Sequence, residues 1–275
     1  MVNLNREGLH LASERCIAEL VHPVVTGAEL NYKGSITIDP RTLKLAGLLA
    51  GQMVYIDNVG REGPPWRTYI VEGKPGKGEI IMNGPPAYHF KKGDPVTIRG
   101  GGLIPYGDAS KMASDHTRVY FRQNGKLPNR VDHVEYGDVP KLHWRQMCIS
   151  KLHRLTVTET SLVGPEALIV DADILNAGGF PAGIEVQFTS LKDGALRRTC
   201  IQPGPRGTGM ARIQGAGARH ITAGTLIVTL AEAWLPYESA IKAGGPQVVF
   251  FDEKTKTRNV IEKPKRERRQ VYPRS

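Results

Sequence analysis

The chain of 275 residues has few cysteines and few aromatic residues, and it lacks long apolar runs. Its three cysteines, Cys16, Cys148 and Cys200, form no Cys-x-x-Cys pair, which argues against a disulfide framework and a structural zinc site. Its longest apolar run, 226–234, is interrupted by Glu232 and is too short for a membrane-spanning helix. Residues 1–15 are charged and lack the apolar core of a signal peptide. We therefore expect a cytoplasmic protein with no membrane partner.

Positive charge is concentrated near the end of the chain. The formal net charge is +10, of which residues 254–275 contribute +7, from nine lysines and arginines against Glu262 and Glu267. This stretch has two prolines and few apolar residues, which predicts a solvated extension, with a basic disordered tail at 263–275. The remaining charge is about +3 and is not interleaved with aromatic residues, so the composition does not predict a nucleic-acid partner.

A tandem repeat organises the sequence. The segments CIAEL at 16–20 and CISKL at 148–152 align at an offset of 132 residues, and after one extra residue in the first copy the alignment continues at 131. The matched pairs include Asp39 with Asp171, Gly51 with Gly183, Thr68 with Thr199, Gly84 with Gly215 and His89 with His220. The repeat predicts two domains, at 12–140 and 143–262.

Short apolar runs with a period of two, separated by Gly and Pro, recur in both copies. This pattern is typical of many short strands and predicts a mainly β fold, with a small barrel or sandwich in each half. Helical patterns are brief, at 41–49, 108–115, 172–178 and 231–242. The first and third of these follow Asp39 and Asp171, which are suitable N-cap residues.

The segment YKGSITID at 32–39 places the pair Gly34-Ser35 between a turn and an alternating strand. Together with Thr68-Tyr69, Asn83-Gly84 and the KLHR segment at 151–154, it resembles the pyruvoyl-dependent aspartate 1-decarboxylase family. The resemblance covers most of 12–262 as two family-length units. It implies two tandem double-psi β-barrels with short helices.

The resemblance implies a zymogen that matures by autocatalytic cleavage after Gly34. The hydroxyl of Ser35 would attack the preceding carbonyl, and the resulting ester would eliminate to leave a pyruvoyl cofactor at position 35. The pyruvoyl ketone would form a Schiff base with a small amino-acid substrate and accept electrons as CO2 leaves. L-Aspartate would yield β-alanine, a step of pantothenate biosynthesis, and no metal is implied.

The family pattern also assigns roles to residues around the cleavage site. It implies that Thr68 hydrogen-bonds the scissile carbonyl and that Tyr69 donates a proton to the decarboxylated intermediate. It further implies that Asn83 and Tyr32 help to hold the loop and the cofactor. These four residues and the Gly34-Ser35 pair are the predicted catalytic set.

The two copies diverge in complementary ways. The second copy has Ala167 in place of Ser35, so only the first copy can self-cleave. The Lys-x-His-Arg motif occurs only in the second copy, as Lys151, His153 and Arg154. Because the family's active sites lie between neighbouring subunits, we infer a composite site in which Lys151 and His153 of the second half bind substrate. The family tetramer would then become a homodimer of duplicated chains.

The position of the family's carboxylate-binding arginine is occupied differently here. It falls near Pro64 and Pro65 in the first copy and beside arginines in the second. Four residues are candidates for this role, and the sequence does not choose between them: Arg197, Arg198, Arg61 and Arg67.

Three questions stay open at the level of sequence. Pro85 and Pro86 replace the alanines that follow the family's Asn-Gly pair, which removes backbone donors and allows a related amino acid as substrate. The degenerate second copy also fits a non-catalytic binding scaffold, and processing with the help of a maturation factor is a further alternative. Cys200, which replaces Tyr69 in the second copy, is expected to be buried and inert.

Overall fold

The computed structural model describes residues 12–30, 35–105, 117–121, 128–132, 144–252 and 258–261. Within these ranges, 17 strands form one hydrogen-bonded network with three short α-helices and two short 3-10 helices. The predicted mainly β class is confirmed. The double-psi connectivity and the domain boundaries stay predictions, and Tyr32, Gly34, the helix at 108–115 and the tail at 263–275 lie outside the described residues.

Both halves contain the same elements in the same order. The first half comprises β1 (Ala12–Val24), β2 (Gly27–Glu29), β3 (Ser35–Ile38), α1 (Pro40–Ala46), β4 (Met53–Asn58), β5 (Trp66–Glu72), β6 (Ile80–Asn83), a 3-10 helix (Pro85–Tyr88), β7 (Pro95–Pro105), β8 (Thr117–Phe121) and β9 (Pro128–Asp132). The second half comprises β10 (Trp144–Thr156), β11 (Glu159–Ser161), β12 (Ala167–Asp171), α2 (Ala172–Gly178), β13 (Glu185–Ser190), β14 (Leu196–Gly204), β15 (Ala211–Gln214), a 3-10 helix (Ala216–His220), β16 (Leu226–Pro236), α3 (Tyr237–Ala243) and β17 (Gln247–Phe250).

The strand pairings repeat as well. Strand β1 runs antiparallel to β7 and parallel to β8, and β10 pairs in the same way with β16 and β17. Strand β3 lies between β5, which is parallel to it, and β6, which is antiparallel. Strand β12 lies between β14 and β15 with the same directions. The equal order and pairing confirm the tandem duplication.

Capping by aspartate explains where α1 and α2 begin. The Asp39 carboxylate accepts hydrogen bonds from the backbone N–H of Arg41 at 2.9 Å and of Gly78 at 2.7 Å. Asp171 accepts equivalent bonds from Asp173 at 2.8 Å and Gly209 at 2.7 Å. The predicted caps are confirmed, and each aspartate also anchors the turn before the sixth strand of its half.

The helix predicted at 231–242 is wrong over its first six residues. Strand β16 continues to Pro236, because residues up to that point pair with β10. Only Tyr237–Ala243 is helical. An apolar run flanked by partner strands forms a strand here, although its residues also suit a helix.

Part of the predicted solvated extension is packed against the second half. Asn259 is buried, and its side-chain amide donates to the carbonyls of Thr156 at 2.8 Å and Gly209 at 3.0 Å. Its Oδ1 accepts from the backbone N–H of Thr156 at 2.7 Å. The prediction of a solvated chain from residue 254 is therefore wrong at Asn259, where one side chain satisfies buried backbone groups.

Each half has its own apolar core, and a third cluster joins them. This cluster contains Met53 and Tyr69 from the first half and Cys148, Val228 and Leu230 from the second. The backbone N–H of Cys148 donates to the carbonyl of Gly51 at 2.9 Å, and β10 pairs briefly with β7. No helix among the described residues is long and apolar enough to cross a membrane.

Candidate active site

Three neighbouring strands of the first half carry a row of polar residues. Ser35 on β3 is the direct antiparallel partner of Asn83 on β6. Ile36 is the parallel partner of Ile70 on β5, so Ser35 is level with Tyr69. Adjacent strands lie about 4.8 Å apart, so the strand register alone brings Tyr69, Ser35 and Asn83 together.

The Ser35 hydroxyl is buried and faces an amide donor. Ser35 is only 1% exposed, and Nδ2 of Asn83 lies 3.4 Å from its Oγ. The same Nδ2 donates to Oγ1 of Thr37 at 2.8 Å. Because the second bond is shorter, Thr37 orients the Asn83 amide and the contact with Ser35 is weak, leaving the serine oxygen able to move. The sequence analysis missed Thr37, although its spacing of two residues from Ser35 places both on one face of β3.

Thr68 lies beside this row on β5. It is buried, and its hydroxyl forms no hydrogen bond with any described residue. The hydroxyl is therefore available to donate to a group in the loop that precedes Ser35. Tyr32 and Gly34 belong to that loop, which lies outside the described residues.

Lys151 of the second half completes the row. It is fully buried, and its Nζ donates to the phenolic oxygen of Tyr69 at 3.2 Å while lying 5.2 Å from the ring centroid. A buried ammonium needs such partners to offset the loss of water. Residues from both halves of a single chain thus meet at Tyr69.

A buried ion pair lies next to this contact. Nη1 of Arg67 is 2.6 Å from the carboxylate of Glu232, and both side chains are less than 10% exposed. Nε2 of Gln146 donates to the same carboxylate at 3.1 Å, and Nε2 of Gln187 donates to the carbonyl of Arg67 at 2.9 Å. The pair was not predicted, although a glutamate that interrupts an apolar run was a signal for it.

The other predicted substrate-binding residues lie apart from the row in the described contacts. His153 is half-buried against Phe250, with ring centroids 5.4 Å apart. Nη1 of Arg197 lies 3.5 Å from the carbonyl of Leu196, its neighbour in the chain.

Two further candidate arginines are paired with carboxylates. Arg198 bonds Glu185, and Arg61 bonds Asp94. No contact among the described residues joins either arginine to Ser35.

Burial controls the chemistry of the cysteine beside Lys151. Burial strongly raises the pKa of Cys148, and the nearby charge of Lys151 only partly opposes this. Cys148 therefore stays a neutral thiol that packs between the halves and does not act as a nucleophile.

The equivalent row in the second half has lost its chemistry. Ala167 has Gln214 as its direct partner on β15 and is level with Cys200 on β14. The Glu166 carboxylate accepts the backbone N–H of Gly217 at 3.1 Å. Cys200 is exposed, so the expectation of a buried thiol is wrong. Its position corresponds to Tyr69, which is buried only because the second half covers it.

Two prolines border the row in the first half. Pro85 and Pro86 are buried and begin the 3-10 helix directly after Gly84, whose φ is 65°. Proline has no N–H, so this turn cannot offer the donors that other residues would supply. The equivalent helix in the second half begins with Ala216 and Gly217 after Gly215, whose φ is 84°.

Comparison with known proteins gives the same result for both halves. The aspartate decarboxylase family model matches the chain twice, over residues 13–121 and 143–258. An aspartate 1-decarboxylase of Porphyromonas gingivalis is 40% identical over 106 residues, which is 38% of this chain and 89% of that relative. One from Carboxydothermus hydrogenoformans is 37% identical over 117 residues, 42% of this chain and 91% of the relative. One from Syntrophotalea carbinolica is 41% identical over 104 residues, 38% of this chain and 76% of the relative.

Proposed function

The chain belongs to the aspartate decarboxylase family of carboxy-lyases, and from this membership we propose that it is a self-processing, pyruvoyl-dependent α-decarboxylase of L-aspartate. The observation that carries the proposal is the row of Tyr69, Ser35 and Asn83, with Lys151 bonded to Tyr69. A pyruvoyl group at position 35 fits this environment, because the serine side chain is buried beside an amide donor. When formed, the group supplies an electron-accepting carbonyl for the substrate amine.

Self-cleavage uses residues of the first half alone. Oγ of Ser35 attacks the carbonyl carbon of Gly34, the peptide C–N bond breaks, and the serine proton passes to the nitrogen. The resulting ester loses the α-proton of residue 35 and releases the Gly34 carboxylate. Water then replaces the nitrogen as ammonia, which leaves the pyruvoyl group. The unpaired hydroxyl of Thr68 is available to stabilise the oxyanion of the first step.

Tyr69 is the proposed proton donor to the substrate carbon after CO2 leaves. Its phenolic oxygen accepts a hydrogen bond from Nζ of Lys151. Because that oxygen already accepts from Lys151, its own proton is free to point along the row towards Ser35. Lys151 therefore acts as a positioning residue for Tyr69, and its charge favours an anionic substrate.

The substrate has a second candidate, a related amino acid, and the observation that favours it is the buried Pro85-Pro86 pair. Arg67, one candidate for binding the substrate carboxylate, is engaged by Glu232. Arg197 and Arg198 stay candidates, and Arg61 is exposed beside Asp94. Screening decarboxylation across acidic and neutral amino acids, in wild type and in Arg197→Ala, separates the two substrates.

The test of self-processing is intact-mass spectrometry under denaturing conditions. Wild type should yield a fragment ending at Gly34 and a second fragment lighter by one ammonia than simple hydrolysis would give. Ser35→Ala should stay one chain, and Ser161→Ala, a control in the second half, should cleave like wild type. An intact wild-type chain that stays inactive in extract of its own cells would overturn the proposal, whereas cleavage only in extract would indicate a maturation factor.

The assembly proposed with this function is a homodimer, in which two duplicated chains give four family units. Each chain supplies Lys151 to its own Tyr69, so one complete site lies within each chain. The second half then serves the first as the neighbouring subunit does in the single-copy family.

A further inference from the structure

The contact between the two halves uses different surfaces on each side. Gly51, Arg67 and Tyr69 of the first half contact the second half, and they correspond to Gly183, Arg198 and Cys200. The second half contributes Cys148, Lys151 and Glu232, which correspond to Cys16, Glu19 and Gly101. No described contact joins these two sets of equivalents. The halves therefore meet heterologously, which leaves one unused copy of each surface.

We name these two unused surfaces by their residues. The open face lies on β13 and β14 of the second half and comprises Gly183, Glu185, Arg198 and Cys200. The open edge lies on β1 and β7 of the first half and comprises Glu14, Cys16, Glu19, Arg99 and Gly101. Cys200, Glu185 and Glu14 are exposed.

The ion pair at the contact between the halves has a charged counterpart on these surfaces. Arg67 corresponds to Arg198, but Glu232 corresponds to Gly101, which has no side chain. The carboxylate of Glu14 fills that space, since a Cβ atom on Gly101 would lie 2.7 Å from its Oε1. Glu14 is exposed and has no partner among the described residues. The acidic group has thus moved to the neighbouring strand without leaving the surface.

The apolar part of the contact has a charged counterpart as well. Met53 and Leu230 belong to the cluster that joins the halves. They correspond to Glu185 on the open face and Arg99 on the open edge, which carry opposite charges. Their side chains are 56% and 44% exposed, so water screens them in the single chain. Charges of opposite sign at matched positions favour pairing between the two surfaces.

We propose that the open face of one chain binds the open edge of a second copy, with Arg198 paired to Glu14 of that copy. The contact repeats the one between the halves but replaces its apolar cluster by ion pairs. Each chain has one face and one edge, so two copies close on each other and leave neither surface free. The inference rests on the proposed two-chain assembly and not on the chemistry at Ser35.

Sedimentation equilibrium tests the contact by charge reversal. The wild-type chain of 30.2 kDa should form a dimer that dissociates as salt is raised, because salt screens ion pairs at its rim. R198E and E14R should each weaken the dimer by at least about tenfold, since each sets like charges together. The double variant R198E/E14R should recover most of that loss. R212E, which alters the exposed Arg212–Glu159 pair outside both surfaces, is the matched control.

Thiol labelling of Cys200 gives a second measurement. Its equivalent Tyr69 is covered by Lys151 in the contact between the halves, so the second copy should protect Cys200 in the dimer. E14R lies in the other half of the chain, so faster Cys200 labelling in E14R must be transmitted through the partner. Peptide mapping distinguishes Cys200 from Cys16, whose pKa is raised to about 11 by burial and the charge of Glu19.

Three results would overturn the inference: a wild-type monomer at all concentrations, a dimer indifferent to R198E and E14R, or growth into assemblies longer than two chains. The uncleaved Ser35→Ala chain should dimerise like wild type. Loss of cleavage would therefore count against the proposed chemistry only, and loss of the dimer against the contact only.

Discussion

The two halves hold the same three-strand row with different side chains. The first half has Tyr69, Ser35 and Asn83, whereas the second has Cys200, Ala167 and Gln214 at the same register. The second half instead supplies Lys151, where the first half has Glu19. Duplication within one chain has therefore divided the work: one copy keeps the reacting groups, and the other keeps the cation that must come from a neighbour.

The backbone has diverged far less than the side chains. Gly47 and Gly179 end the first helix of each half with φ values of 68° and 66°. His22 and Arg154, which are not glycines, take positive φ values of 58° and 64° at the same position of the first strand. A substitution that disables chemistry leaves such geometry intact, because the barrel still needs each turn.

The largest expected effect breaks the comparison at its reacting group. Tyr69→Phe should lower the rate of decarboxylation on the order of 10²–10⁴-fold, because it removes the proposed proton donor. Cleavage at Gly34 should be unchanged, since Tyr69 takes no part in the acyl shift. Steady-state CO2 release and intact mass measure the two steps separately.

The matched control for that variant is Cys200→Ser at the equivalent position. It should leave both turnover and cleavage as in wild type, because the second row has no serine to process. Equal losses from Tyr69→Phe and Cys200→Ser would mean that both act through stability, and the assignment of Tyr69 would fail.

The next effect compares two ion pairs at equivalent arginines. Glu232→Gln leaves the buried Arg67 without its carboxylate and should lower the free energy of unfolding by about 3 kcal/mol. Glu185→Gln breaks the exposed pair with Arg198 and should cost less than about 1 kcal/mol. Urea unfolding at one protein concentration in high salt measures both variants.

Arg67→Met should be milder than Glu232→Gln in the same experiment, because the Glu232 carboxylate keeps its bond from Gln146. Equal destabilisation by Glu232→Gln and Glu185→Gln would show that burial between the halves adds nothing to the pair.

The sequence was most informative where the cause of structure is local. The alternating apolar pattern predicted the strands, and Asp39 and Asp171 predicted the starts of two helices. The repeat predicted that the halves would share one architecture. The motif around Ser35 pointed to its neighbours Thr68, Tyr69 and Asn83 before any register was known.

The sequence was least informative where the halves meet. The pairing of Arg67 with Glu232, 165 residues apart, depends on how two barrels dock, and no local pattern encodes that. The burial of Tyr69 and the exposure of Cys200 have the same origin, since the two residues hold equivalent positions. Asn259 escaped prediction because a single side chain anchors an otherwise charged stretch.

The smallest effect concerns the cap that both halves retain. Burial would raise the pKa of Asp39, but hydrogen bonds from the backbone N–H of Gly78 and Arg41 outweigh burial and lower it. A lowered native pKa adds stability above the unfolded value, and that stability is lost as the pH falls through the native pKa.

Asp39→Asn keeps one acceptor but loses the other, so it should destabilise the chain by about 1 kcal/mol at pH 7. The difference from wild type should shrink in acid, because the wild-type carboxyl is then protonated. Urea unfolding between pH 7 and pH 3 measures this, with Asp57→Asn, which alters an exposed pair with Arg99, as the control. A difference that stays constant over that range would mean that the charge of Asp39 contributes nothing and that only the geometry of the cap, shared with Asp171, matters.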